Sequence, residues 1–309
     1  MADLPLSQND ITRVKGLGFL HNRGTRMFSA RIVTVNGKIT ANQLMRIAEA
    51  AKMFGCGEAA FTTRLTVELP GIPFEQIEAL RAFLATAGLE TGGTGAKVRP
   101  VVSCKGTTCQ YGLIDTFDLS RKIHERFYEG YHAVALPHKF KIAVGGCPNN
   151  CVKPDLNDLG IMGQRMPEFD ATRCKGCGKC AVQTVCPMQA AVVRNGVLDI
   201  DKTRCNACGR CVGKCPWGAI PSGKTGYAVM IGGRWGKQVN RGRFLPNVFT
   251  SESEVLDVIE KTILLFREQG HKGERLASLI ERLGWDDVLK RLLSNDLLER
   301  KQAILALNN

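Results

Sequence analysis

Thirteen cysteines lie in this chain, and twelve of them fall into three sets of four. Cys174, Cys177, Cys180 and Cys186 form one set; Cys205, Cys208, Cys211 and Cys215 form a second. Cys104, Cys109, Cys147 and Cys151 form a third, with different spacing. Four thiolates are what one 4Fe–4S cube requires, so the count fits three cubes and leaves only Cys56 over. Cys56, in FGCGE, reads as a small packed hydrophobe. The arithmetic marks an electron-handling protein.

The spacing sharpens this. The second set is C-x2-C-x2-C-x3-C-P, and the first is the same pattern with two extra residues before its last cysteine. Their first three cysteines repeat at an interval of 31 residues. Zinc sites usually pair two separated C-x2-C knuckles, which this is not. Over about 50 residues the block resembles a two-cluster bacterial ferredoxin, in which the fourth cysteine of each run ligates the other cluster. The resemblance therefore assigns Cys174, Cys177, Cys180 and Cys215 to one cube, and Cys205, Cys208, Cys211 and Cys186 to the other. Gly176, Gly178 and Gly209 would let backbone approach the sulfurs, whose hydrogen bonds tune the potential.

The third set sits in the loops CKGTTC and GGCPNNC, each after an expected strand, Val98–Ser103 and Lys139–Val144. Two such loops can meet at one end of a sheet, where rigid elements hold chemistry in place. By spacing alone a structural zinc site is the competing reading.

The segment LPHKFKIAV-GGCPNNC, with TTRLTVELPGI and FSARIVTVNGKIT upstream and YAVMIGGRWG downstream, resembles the siroheme-containing sulfite and nitrite reductases. It looks like the catalytic subunit of an anaerobic sulfite reductase, or a small single-chain relative of one. The resemblance covers roughly residues 11–168 and 223–250. It implies that the third set holds a 4Fe–4S cube and that Cys151 also bridges to the siroheme iron. It places Arg31, Arg64, Lys139 and Lys141 around the bound anion, which needs compensating charge and protons as its S–O bonds break. Arg99 and Arg234 are then candidates to hold siroheme carboxylates. Nitrite-reducing relatives often carry asparagine where Lys141 stands, which favours sulfite. The chain departs from the larger family members in having four residues, not five, between Cys104 and Cys109. It also has one copy of the core where they have two. Lys141 and Cys147 are six residues apart on an expected strand, ~20 Å at about 3.3 Å per residue, so a homodimer or related subunit is expected to share the site.

Around these residues the pattern predicts an α+β fold. A strand over 26–35, a turn at Asn36-Gly37, a helix opened by the Thr40/Gln43 capping box, a strand over 58–69 and a helix begun at Pro73 form an N-terminal ferredoxin-like half over 1–95. Residues 96–168 and 222–309 form the siroheme and cluster domain, with a helix over 118–129 and a returning strand over 227–233. The two-cluster ferredoxin, 169–221, is inserted in it. Apolar residues at helical spacing (Val255, Ile259, Ile263, Phe266; Leu276, Ile280, Leu283) predict core-facing C-terminal helices.

Hydrophobic content of 44% and charged content of 23% describe a globular chain. The segment MADLPLSQND has no apolar h-region, so no signal peptide is expected, and no run is long enough to span a membrane. Cysteine-rich chains of this kind bind metal in a reducing cytoplasm. The net charge of +13 comes without nucleic-acid motifs and with only 6% aromatics, so small anions and an acidic protein donor are the expected partners. Neither the histidines nor Gly92-Gly93-x-Gly95 makes a metal or dinucleotide motif. His138, beside the lysines, is placed to relay protons, but reads first as an ordinary histidine without a catalytic role. The expected reaction is the six-electron reduction of sulfite to sulfide. Nitrite reduction to ammonia, or a haem-free three-cluster electron carrier, are the alternatives.

Overall fold

The computed structural model describes residues 6–307; the first five residues of the N-terminal segment lie outside the described residues. Strands β1 (Phe19–His21), β2 (Met27–Ile32), β3 (Ala60–Phe61) and β4 (Val67–Pro73) form an antiparallel sheet in the order β1-β2-β4-β3. Helices α1 (Gln8–Gly16), α2 (Ala41–Phe54) and α3 (Ile77–Ala85) share its core, with Phe19, Phe28, Ile47, Leu69 and Leu80 buried between them. The capping box on α2 is formed. Gln43 N–H donates to Thr40 Oγ1 at 3.2 Å, and Thr40 N–H donates to Gln43 Oε1 at 3.0 Å.

Two local expectations are corrected here. Residues 58–69 are not one strand but a hairpin, because Leu65 adopts a left-handed φ of 57° and the Thr62 hydroxyl accepts from the Thr66 N–H at 3.3 Å. Pro73 closes β4 instead of opening a helix; a 3-10 turn, Phe74–Gln76, intervenes before α3. Proline suits both places, since each spares its missing N–H.

The larger sheet contains β5 (Val102–Ser103), β6 (Ile142–Gly145) and β7 (Leu159–Glu168). After a separate two-stranded ribbon, β8 (Ala191–Arg194) and β9 (Val197–Ile200), it is completed by β10 (Ser222–Ile231) and β11 (Arg243–Phe249). The order is β11-β10-β7-β6-β5. β5, β6 and β7 run parallel, while β10 is antiparallel to both β7 and β11. Helix α4 (Thr116–Ile123) passes into a wider π turn over His124–Glu129 instead of running on as one α-helix. Helix α5 (Ala181–Val185) lies in the cysteine block; α6 (Glu252–Gln269), α7 (Leu276–Leu283) and α8 (Trp285–Leu293) cover the large sheet. Val255, Ile259, Ile263 and Phe266 are fully buried, as their spacing requires.

The cysteine block leaves and re-enters the large sheet at one point. Glu168 at the end of β7 pairs with Ser222 at the start of β10, and the ladder continues without a break to Leu159↔Ile231. Residues 169–221 thus stand where a tight hairpin turn could otherwise be. Among the described residues no helix is long and apolar enough to cross a membrane.

Candidate functional site

The parallel pairing of β5 and β6, Val102↔Ala143 and Ser103↔Val144, carries both cysteine loops of the third set off the same edge of the sheet. Cys104 N–H donates to the Val144 carbonyl at 3.1 Å, and Gly146 N–H donates to Cys104 Sγ at 3.1 Å. The loops touch at Gly106 and Gly146, where a Cβ on Gly106 would lie 2.9 Å from the Gly146 Cα. Burial pushes the Cys147 thiol up, and the charges of Cys104, Cys151 and Cys109 push it further. The four cysteines therefore lie close enough for Cys147 to feel the charges of the other three. Cys151 is the exposed member of the set.

In the insert, burial pushes the Cys211 thiol up to about 11, and the neighbouring Cys205, Cys208 and Cys186 add to the shift. These four line one cavity with Pro187 and Met188. The fourth cysteine of the first run has thus crossed to the second. Cys174 and Cys180 pack with Cys215 around the small core of the insert. Asp170 N–H donates to the Ala219 carbonyl at 2.9 Å, which brings the two ends of the insert together. Peptide N–H groups reach sulfur at Ala190 to Cys186 (3.3 Å) and Leu198 to Cys174 (3.4 Å).

Two of the three glycines expected near sulfur also pack closely on other groups. A Cβ on Gly176 would strike the Gly196 carbonyl at 2.1 Å, one on Gly209 would strike the Arg165 side chain at 2.8 Å, and Gly178 has open space.

This donor set fits iron–sulfur clusters. Clustered thiols that raise one another's pKa are costly to ionise alone, and a bound metal centre removes that cost by holding them as thiolates. Among the described residues no group of His, Cys, Asp or Glu converges as a single-ion site. A cube is compatible with that, because its thiolates stand on outer corners.

Lys139 and Lys141 precede β6, at the end of that strand opposite Cys147. β6 spans only four residues, shorter than the expected 139–144. Burial pushes the Lys141 amine down to about 8, helped by the charges of Arg64, Lys139 and Arg275. Burial also lowers Lys139, with Arg275 and Arg99 adding to it, and lowers His138, which feels Arg275, Lys139, Arg99 and Lys141. Arg99 falls to about 10, through burial and then Arg31. Its guanidinium donates to the carbonyls of Gly93 (2.6 Å) and Gly95 (3.1 Å).

Arg64 also falls to about 10 on burial, against the pull of Asp158. It donates to the carbonyls of Pro100 (2.6 and 3.2 Å) and Ile142 (3.1 Å) and to Asn157 Oδ1 (2.9 Å). It therefore clamps the β3–β4 hairpin to the large sheet and to the end of the cysteine loop. Arg31 lies opposite Glu68 in the β2–β4 register, and its guanidinium is paired with that carboxylate. Arg234 stands apart from this group: it donates to the Gln238 carbonyl at 3.3 Å and Ser278 Oγ at 3.4 Å, within its own turn and α7.

Two residues at the centre of the cationic group have no sequence motif. Asp158 is fully buried and accepts both Arg275 (2.8 and 2.9 Å) and the Lys141 N–H (2.9 Å). Burial raises its pKa, and Arg275 opposes the rise. Arg275 comes from the turn before α7, some 117 positions away. The only available signal was that Asp158 follows a cysteine loop and precedes a buried strand, where a lone carboxylate needs a cation. Cys56 is exposed, which corrects its reading as a packed hydrophobe: it lies in the turn after α2, outside the sheet core.

Comparison with known proteins agrees with this architecture. Residues 94–301 match the nitrite and sulphite reductase 4Fe–4S domain, and residues 21–87 match the nitrite/sulfite reductase ferredoxin-like half domain. The chain is 35% identical over 234 residues to a coenzyme F420-dependent sulfite reductase of Methanocaldococcus jannaschii, covering 75% of this chain and 36% of that protein. It is 34% identical over 173 residues to one of the subunits of the anaerobic sulfite reductase of Salmonella typhimurium, covering 51% and 49%. The chain thus spans about a third to a half of the length of these two relatives. Dissimilatory sulfite reductase I shares the fold, with a TM-score of 0.70 at 23% identity over 86% of this chain and 69% of that one. So does the NirA protein of Mycobacterium tuberculosis, with a TM-score of 0.68 at 17% identity over 95% and 48%. The chain belongs to the nitrite and sulphite reductase family, with that family's 4Fe–4S domain and its ferredoxin-like half domain.

Proposed function

We propose that this chain is the catalytic part of a siroheme-dependent sulfite reductase, with an inserted two-cluster ferredoxin over 169–221 that feeds it electrons. The observation that carries the reading is a cationic group, Arg64, Arg99, Lys139, Lys141 and Arg275, around one buried carboxylate, Asp158, with Arg31 beside Arg64 and Arg99, at the end of β6 opposite the loop of Cys147 and Cys151. Cys104, Cys109, Cys147 and Cys151 would hold one cluster, and the exposed Cys151 would share its sulfur with the siroheme iron. When bound, siroheme and its coupled cluster supply the redox chemistry by which sulfite, six electrons and eight protons become hydrogen sulfide and three waters.

The protein's own residues supply charge, protons and orientation. An oxyanion is held by preorganised cations that cost no reorganisation at the moment of reaction. Lys141 Nζ, with its pKa near 8, is charged near neutrality yet gives up a proton readily, as a general acid should. Lys139, Arg99 and Arg275 keep the site positive while it does so. Arg64 contributes field and clamps the hairpin, its donors being committed to carbonyls. Lys141 and Cys147 stand at opposite ends of β6, which supports the completion of each site by a second copy or a related protein.

The test is turnover of sulfite and nitrite side by side by protein prepared without oxygen. Sulfide formed faster than ammonia supports the reading; the reverse order supports nitrite. Lys141→Met should lower the sulfite rate by about tenfold to a hundredfold, within the range general acid catalysis contributes. A haem-free carrier would turn over neither anion.

A further inference from the structure

We infer that electrons enter through the Cys174/Cys177/Cys180/Cys215 set, and that the exposed basic face around that set docks an acidic electron-carrier protein. This rests on the proposed reading of the insert as two clusters.

The two sets of the insert are not equivalent in their surroundings. The Cys205/Cys208/Cys211/Cys186 set faces the reductase core. Arg165 of β7 bridges to Cys208, and its N–H donates to the Ala207 carbonyl at 2.7 Å. Gly209 closes on the Arg165 side chain. Arg210, between Cys208 and Cys211, stacks its guanidinium 5.4 Å from the ring centre of Tyr111, two residues after Cys109. That contact joins this set to the loop of the third set. The neighbours of the other set come from the insert itself: Leu198 N–H on Cys174, Gly196 against Gly176, and Arg173 against Gly218. The contacts that join the insert to the core are thus those of the Cys205/Cys208/Cys211/Cys186 set, the inner one, and on that ground we take the other as the outer set.

The outer set also has the charge of a docking face. Residues 169–221 contain eight Lys and Arg against three Asp, and all eight basic residues are exposed. Arg173 and Arg194 are paired with Asp170 and Asp199 at 3.3 and 3.5 Å. Lys175, Lys179 and Lys214 interleave with Cys174, Cys177, Cys180 and Cys215, and none of them is in an ion pair found among the described residues. Trp217, two residues after Cys215, is 56% exposed. An exposed indole beside a cysteine set whose ligands alternate with lysines suits an interface whose centre is aromatic and whose charges steer the partner. Each docking oxidises the carrier by one electron and reduces the outer cluster by one; six such transfers serve one sulfite.

The experiment uses the full chain with its clusters and an acidic bacterial ferredoxin of known sequence as probe. Binding is measured by calorimetry as a function of salt, so the readout does not depend on turnover. K175Q/K179Q/K214Q should weaken binding by about tenfold and flatten its salt dependence, as loss of steering charge does. K202Q/R204Q, just before Cys205 of the inner set, removes two charges elsewhere on the insert and should stay within about twofold. Equal weakening by both variants, or none by the first at equal iron content, overturns the assignment. A parent protein that lacks the insert's iron overturns the reading beneath it instead.

Discussion

The third cysteine set stands on loops at the ends of two buried parallel strands, backed by a core that runs from Val98 to Ile304. The insert holds eight cysteines, five of them packed against four buried apolar side chains, Val182, Ala191, Leu198 and Ile220. The first region has the apolar area to fold before any cofactor arrives. The second does not, since a segment of this size with so small a core needs metal to fold. On the proposed reading the same thiolate chemistry is thus scaffolded in one place and is itself the scaffold in the other.

Iron removal is the sharpest way to break that contrast. Chelation under reducing conditions should abolish amide-exchange protection across 169–221 while α6 and β7 keep theirs. Simultaneous loss in both regions would show that the insert does not depend separately on its clusters. Next in size is the buried pair under the lysines. Arg275→Met leaves the Asp158 carboxylate buried and uncompensated, and should cost about 3–5 kcal/mol in denaturant unfolding. Adding Asp158→Asn should recover much of it; no recovery would mean that Arg275 acts by packing alone.

Arg64→Ala should cost about 1–3 kcal/mol, because it strands the carbonyls of Pro100 and Ile142. Arg31→Ala, which loses a pair with the partly exposed Glu68, should cost at most about 1 kcal/mol. The reverse order would overturn the distinction between clamp and surface pair.

The smallest effect is a pH dependence. In the fold the Lys141 amine titrates near 8 instead of its usual 10.5. Between those values the unfolded chain holds a proton that the folded one has released, so stability from this group rises with pH across that window. The functional sign is opposite: the cation is lost as pH rises through about 8, so sulfite affinity should fall there. Lys141→Met should remove that inflection from the pH profile of KM; its persistence would assign it to another group.

The cysteine sets were legible because cluster ligands sit at short, fixed spacing, while their crossing was implied by the ferredoxin resemblance. Residues such as Val255 and Phe266 were legible through helical period. The Leu65 turn was not, since nothing in EAAFTTRLTVEL requires a left-handed leucine; the tertiary contact with Thr34, whose hydroxyl bonds the Leu65 carbonyl, fixes it. Asp158 and Arg275 were missed because their bond joins residues 117 positions apart, with no periodicity to reveal it. Arg64 was visible as a cation but not as a clamp, because its acceptors are backbone carbonyls, which every residue has.

The most direct test is the anaerobic absorption spectrum of the purified chain, taken with its iron content. The reading predicts a siroheme Soret and long-wavelength band, with about twelve cluster irons per chain. Intact clusters without any tetrapyrrole absorption would contradict it and leave an electron carrier in its place.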